Sequence, residues 1–178
     1  MKEKLKQLFF NNTLQRWHFN VLLEESEMSR ERLYHFLKEL QKEKFIIRVK
    51  PRGKMPYYLA NRDLSKFRLE KQLYGLIQLH ELFEHLNTCE GVKTAILFGS
   101  FARGDWNNES DIDLFIYGDD NKVEKALFEK KLGKEIQLFT YNDAKKMKKE
   151  LDPKLIPNII KGFHITENIE PFEVMIHA

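Results

Sequence analysis

Gly99-Ser100 and, ten residues further on, Asp111-Ile112-Asp113 are the residues of this chain whose types and spacing best suit chemistry. Gly99-Ser100 closes an apolar run from Val92 to Phe98, and the two acids open another that continues to Ile116. In an extended strand residues i and i+2 face the same side, so the Asp111 and Asp113 carboxylates are expected to converge on one point. Hard carboxylate oxygens there suit Mg²⁺ or Mn²⁺. Gly99 lets the backbone turn sharply and approach a phosphate without a Cβ in the way. Ser100 can offer its N–H and hydroxyl to that phosphate, and Arg103 a fork of donors. The combination points to a phosphate-bearing ligand held with a divalent cation.

Positioning these groups requires a sheet. Val92 to Phe98 reads as a strand buried on both faces from Ala95 on, Asp111 to Tyr117 as a second, and Glu135 to Phe139 as a third. Between the last two, Val123 to Leu132 reads as an amphipathic helix with Val123, Ala126, Leu127 and Lys130 on or beside its buried face, capped by Gly133. A lysine-rich helix starts at Asn142, another spans Lys154 to Lys161 after Pro153, and apolar segments at His164–Thr166 and Phe172–Ile176 close the chain. Trp106 to Glu109 form a loop across the site, in which Trp106 is either a base-stacking ring or a loop anchor.

The first half has a different outline. Glu3 to Phe10 reads as a helix. Thr13 is an expected N-cap for a second, with Leu14, Trp17, Val21 and Leu22 on one face. Ser29 is an expected N-cap for a third, with Leu33, Phe36, Leu37 and Leu40 buried. Phe45–Lys50 and Tyr57–Ala60 read as strands about a turn at Pro51–Lys54. From Leu64 to Leu86 apolar residues cover more than one helical face, as in a long helix that connects two domains or forms a homodimer.

At 178 residues, 42% hydrophobic and 32% charged, the chain is long and apolar enough for one ordinary domain or two small ones, and too apolar for a disordered chain. The single cysteine, Cys89, excludes an internal disulfide and a cysteine-based zinc site. No apolar run reaches the roughly 18–20 residues that span a bilayer, and the charged start does not read as a signal peptide, so a cytoplasmic protein with no membrane partner is expected. Residues 1–90 hold 17 Lys/Arg against 12 Asp/Glu, and residues 91–178 hold 13 against 15. A polyanion suits the first half and a metal-bound ligand the second.

The first-half pattern, Leu37 to Arg48 followed by Arg52-Gly53-Lys54 and Tyr57-Tyr58-Leu59, resembles winged helix-turn-helix domains of prokaryotic regulators over about residues 1–62. That resemblance implies contact with double-stranded DNA, with Arg30, Tyr34 and Lys38 on the third helix and Arg48, Arg52 and Lys54 on the hairpin as the contacting side chains. A protein-docking module or a solvated hairpin whose lysines discourage edge pairing are the other readings.

The second-half pattern resembles a family more specifically. Leu97-Phe98-Gly99-Ser100-Phe101-Ala102-Arg103-Gly104 with Ser110-Asp111-Ile112-Asp113-Leu114 is similar to the signature of the DNA polymerase β nucleotidyltransferase superfamily, in its minimal nucleotidyltransferase branch. The resemblance implies an α+β chain: an N-terminal winged helix domain (1–62), a long connecting helix (63–89) and a C-terminal nucleotidyltransferase domain with a small mixed sheet (90–178). It implies transfer of a nucleoside monophosphate from a nucleoside triphosphate such as ATP to a hydroxyl. Asp111 and Asp113 would be catalytic metal ligands, and Gly99, Ser100 and Arg103 nucleotide-binding residues. It also suggests a HEPN-type toxin as partner. One position departs from the pattern: Gln137 stands where the family usually carries a third carboxylate, and an amide cannot take a proton at neutral pH. Either Glu135, two residues earlier, acts in its place as the third catalytic carboxylate, or the site binds nucleotide and transfers poorly, serving a DNA-binding regulator.

Overall fold

The computed structural model describes residues 1–172 and resolves two compact units, Met1–Lys71 and Gln72–Ala178, each described by itself. Of the expected closing segment Phe172–Ile176, only Phe172 lies within the described residues.

In the first unit the chain runs α1 (Lys2–Asn11), β1 (Trp17–His18), α2 (Phe19–Ser26), α3 (Arg30–Lys42), β2 (Ile46–Val49) and β3 (Tyr57–Ala60), then enters α4 (Ser65–Gln78), within which the unit boundary falls. The strands form an antiparallel sheet in the order β1-β3-β2, with Trp17 opposite Tyr58 and Arg48 opposite Tyr58 on the other side. Leu33, Leu37 and Leu40 are buried along α3, and Ser29 caps it by accepting from Arg32 N–H, as its sequence indicates. Phe10, Phe45 and Phe67 form a cluster with centroids 4.8–5.7 Å apart, tying the first turn of α4 to α1 and the start of β2. The expected helix from Thr13 does not form. Trp17 lies on β1 instead, buried edge-to-face against Phe9, while Leu14 is exposed and α2 begins only at Phe19. One bulky ring buried in a two-residue strand outweighs a helical period of which Leu14 and Val21 reach solvent and only Leu22, on α2, is buried.

In the second unit α5 (His80–Thr88) precedes β4 (Val92–Phe98), α6 (Gly99–Arg103), β5 (Ile112–Gly118), α7 (Lys125–Leu132), β6 (Ile136–Tyr141), α8 (Ala144–Glu150), α9 (Ile156–Ile160) and β7 (Phe163–His164). The sheet order is β6-β5-β4-β7, with β5 parallel to β6 and antiparallel to β4, and β7 antiparallel on the other side of β4. β4 and β5 are central and buried on both faces, which explains their unbroken apolar runs. Ile96, Phe98 and Phe115 pack with Met147, Leu151, Ile159 and Phe172 in one core.

The long helix expected over 64–86 is two helices broken at Leu79, whose N–H reaches only the Leu76 carbonyl. The break re-aims the apolar surface: Leu79, Leu82 and Leu86 are buried, while Leu69, Leu73 and Ile77 are exposed. Helix α7 also turns a face other than the expected one inward. Phe128 is its buried residue, and Ala126, Leu127 and Lys130 are exposed. Helix α8 begins at Ala144 rather than at Asn142, and Asp143 caps it by accepting from Lys146 N–H. Among the described residues no helix is long and apolar enough to cross a membrane.

Trp106 is an anchor. It is buried, stacked on Phe101 with centroids 5.2 Å and planes 5° apart, and it fills the space over Gly75 of α4. A Cβ on Gly75 would lie 2.5 Å from Trp106 Nε1. Alanine in a helix interior ordinarily gains about 1 kcal/mol over glycine, but overpacking a held ring costs about 1–3 kcal/mol. Gly75→Ala is therefore expected to lower stability by roughly 1 kcal/mol in urea denaturation; a raised midpoint would mean that the ring yields.

Candidate functional site

β4 ends at Phe98 and the chain turns at once into α6, so Gly99-Ser100 forms the first turn of a short helix rather than a loop. Gly99 has φ +70°, a left-handed value that favours glycine. Phe98 pairs with Asp113 across β4 and β5, which sets the Asp113 carboxylate directly over Gly99. A Cβ on Gly99 would fall 1.9 Å from Asp113 Oδ2, so glycine is required on two counts. The first-turn N–H groups of a helix have no intrahelical carbonyl to donate to. Asp113 thus stands beside open backbone donors.

Asp111 lies immediately ahead of β5 and Asp113 within it, two residues apart as expected for a shared face. Both are half-buried. β6 runs parallel to β5 with Gln137 opposite Asp113, and Gln137 Nε2 donates to Asp111 Oδ2 at 2.8 Å. Glu135 enters through its backbone, its carbonyl accepting from Ile112 N–H at 2.9 Å. The structure therefore brings Gln137, not Glu135, into contact with Asp111. Among the described residues no group of three or more His, Cys, Asp or Glu side chains is arranged to hold a metal. The donor set at the centre is two carboxylates with an amide, hard oxygen chemistry that fits one Mg²⁺ whose remaining positions go to phosphate and water.

Arg103, at the end of α6, is exposed and its guanidinium is held by Asp105, with Nε 3.1 Å from Oδ2. Its positive charge acts on Asp113 without overcoming the opposing influences. Burial pushes the Asp113 carboxyl above the ordinary aspartate range, and the neighbouring Asp111 charge pushes it further the same way.

Lys134 is the contributor that sequence reasoning missed. Its Nζ donates to the carbonyls of Asn108 at 2.8 Å, Asn107 at 3.2 Å and Ser110 at 3.4 Å, and lies 5.6 Å from the Phe101 ring centroid. The 107–110 loop is also closed on itself, with Asn107 N–H donating to Ser110 Oγ and Glu109 N–H to Asn107 Oδ1, both at 2.8 Å. Lys134 thus fixes the segment that delivers Asp111. Burial lowers its pKa, opposed by the Asp111 charge. Nothing in a chain with 30 basic residues marks this lysine; only the carbonyls gathered around it do.

Residues 80–169 match the family described as polymerase beta, nucleotidyltransferase, and this stretch contains the whole of the geometry above. The chain belongs to that family. A protein of Methanocaldococcus jannaschii named "Putative protein adenylyltransferase MJ0604" is 64% identical over 28 residues, a stretch covering 16% of this chain and 28% of the relative's own length.

Beyond the nucleotidyltransferase region, the first unit displays the basic side chains expected of it. Arg30, Tyr34 and Lys38 are spaced four apart on the exposed side of α3, with Lys38 Nζ 4.7 Å from the Tyr34 ring centroid and the Arg30 guanidinium 5.5 Å from that of Phe19. Arg48 is exposed on β2, and Arg52 and Lys54 are exposed in the β2–β3 turn. Arg16, not singled out by the sequence, reaches the same hairpin and lies over the Tyr57 ring at 5.3 Å.

The raised pKa of Asp113 has a consequence for stability. Between the ordinary aspartate value and the raised one, the folded nucleotidyltransferase retains a proton that the unfolded chain has lost. Stability therefore falls as pH rises through that window. Asp113→Asn is expected to raise the melting temperature of the protein in chelator at pH 7, with the difference shrinking in acid. An equal or lower melting temperature at pH 7 would contradict this.

Proposed function

We propose that the C-terminal unit transfers a nucleoside monophosphate, adenylyl from ATP in the first instance, to a hydroxyl of a protein or small-molecule acceptor. The observation that carries this reading is the Phe98–Asp113 pairing, which stacks a carboxylate against the glycine that opens α6. Asp111 and Asp113 would hold Mg²⁺, or Mn²⁺, which when bound neutralises the triphosphate and offsets the charge of the departing pyrophosphate. The Gly99 and Ser100 N–H groups and the Ser100 hydroxyl orient the β- and γ-phosphates, and Arg103 exchanges Asp105 for phosphate oxygens. The acceptor oxygen attacks the α-phosphorus as the bond to the β-phosphate oxygen breaks; the nucleoside monophosphate passes to the acceptor, its hydroxyl proton to solvent, and pyrophosphate leaves. The name of the M. jannaschii relative supports adenylyl transfer to a protein. A HEPN-type protein, expected from the resemblance, is the first acceptor to try.

A second reading, a DNA-binding regulator whose transferase unit binds nucleotide and turns it over poorly, is favoured by two observations. One is Gln137 at the centre of the site. The other is the order α1-β1-α2-α3-β2-β3 with a three-stranded antiparallel sheet, which suits a winged helix over residues 1–62, followed by a connecting segment (63–89) and the transferase domain (90–178). In that reading Arg30, Tyr34 and Lys38 enter the major groove from α3, and Arg48, Arg52 and Lys54 lie along phosphates.

Incubation with Mg²⁺, α-labelled ATP and candidate acceptors is expected to release pyrophosphate and label the acceptor, with loss of at least about 10²-fold on Asp111→Asn with Asp113→Asn. Equal inertness of both proteins, with ATP still bound, would favour the regulator. For DNA, log affinity should fall linearly with log salt, and Arg52→Ala with Lys54→Ala should make the slope shallower by about 2. A slope insensitive to both would remove the hairpin from the interface.

A further inference from the structure

Gln137 is a neutral side chain beside Asp111 and Asp113, where a further anion would add a ligand for cations. It faces Asp113 across the β5–β6 pair and donates to Asp111 Oδ2 at 2.8 Å. A carboxylate accepts, so the amide presents its NH₂ to Asp111 and the positive end of its dipole to the acids. Two dications in one phosphoryl-transfer site stand about 3.5–4 Å apart. They repel as like charges and need anionic oxygens beyond those that hold the first. Among the described residues no third Asp, Glu, His or Cys joins Asp111 and Asp113. Glu135 contributes only its backbone carbonyl to β5. Two carboxylates with triphosphate oxygens and water complete one octahedral shell and leave a second short of ligands.

We propose that this chain holds a single divalent cation with its nucleotide, and that Gln137 sets this stoichiometry by engaging Asp111 through its amide. The proposal rests on the transferase reading of the site. It also predicts slow turnover: no second cation would lower the pKa of the attacking hydroxyl, and the Gln137 amide that engages Asp111 is not a base. A carboxylate at 137 would supply both the missing ligand and the base.

The test uses the full chain with a non-hydrolysable ATP analogue bridged at the α,β position, and counts bound Mn²⁺ by electron paramagnetic resonance. Wild type is expected to bind one Mn²⁺ per chain, and Gln137→Asp two, with turnover of α-labelled ATP rising by about 10²-fold. Gln137→Glu places a carboxylate one methylene further out and is expected to bind two as well. Gln137 is exposed, so these variants keep the core, and thermal melts verify it. Two Mn²⁺ on wild type, or one on both variants, would overturn the proposal. Loss of all Mn²⁺ in Asp111→Asn with Asp113→Asn supports the underlying site. Unchanged Mn²⁺ binding in that control, or none to wild type, would overturn the transferase reading and the proposal with it.

Discussion

Everything in the second unit depends on how closely Asp113 approaches Gly99. The carboxylate occupies space that any side chain at 99 would need, and the backbone there has a φ that glycine alone adopts without strain. The approach is set by register, because Phe98 pairs with Asp113 and a slip of one residue would turn Asp113 to the other face of β5. Register in turn is held by burial. Ile96 and Phe98 of β4 and Phe115 of β5 are locked into one core with residues of α8 and α9. The apolar packing therefore determines where the charge sits.

That placement costs stability in the absence of a ligand. Asp111 and Asp113 repel each other, and burial raises the pKa of Asp113. Three cationic or polar groups soften the tension without removing it. Gln137 gives Asp111 a hydrogen bond, and Lys134 holds the loop that leads into it. Arg103 contributes at a distance while paired with Asp105. Such a site is stable enough to persist, and in the proposed function a cation and phosphates would relieve its repulsion, as expected where charges are arranged for a ligand rather than for the fold.

The site was largely legible in the sequence because its requirements are local. A strand end, a glycine and two acids at i and i+2 are read along the chain, and the structure brings Gly99, Asp111 and Asp113 together as that pattern implies. The strand that carries Gln137 was legible too, although its parallel pairing with β5 was not. What escaped depends on contacts between distant segments. Lys134 acquires its role only when the 107–110 carbonyls close around it. Trp17 was read as helical because its neighbours fit a period, whereas burial against Phe9 draws it into a strand. The break at Leu79 was hidden because Leu64 to Leu86 is apolar on several faces, and only packing selects which of them is buried.

The central claim is that Asp111 and Asp113 jointly hold the cation of a bound nucleotide triphosphate. Crystals grown with Mn²⁺ and a non-hydrolysable ATP analogue, with anomalous diffraction recorded at the manganese edge, test it most directly. The account predicts an anomalous peak within about 2.0–2.3 Å of an oxygen of each carboxylate, with triphosphate density along the first turn of α6. Nucleotide density elsewhere on the chain, or a peak that touches neither aspartate, would contradict it.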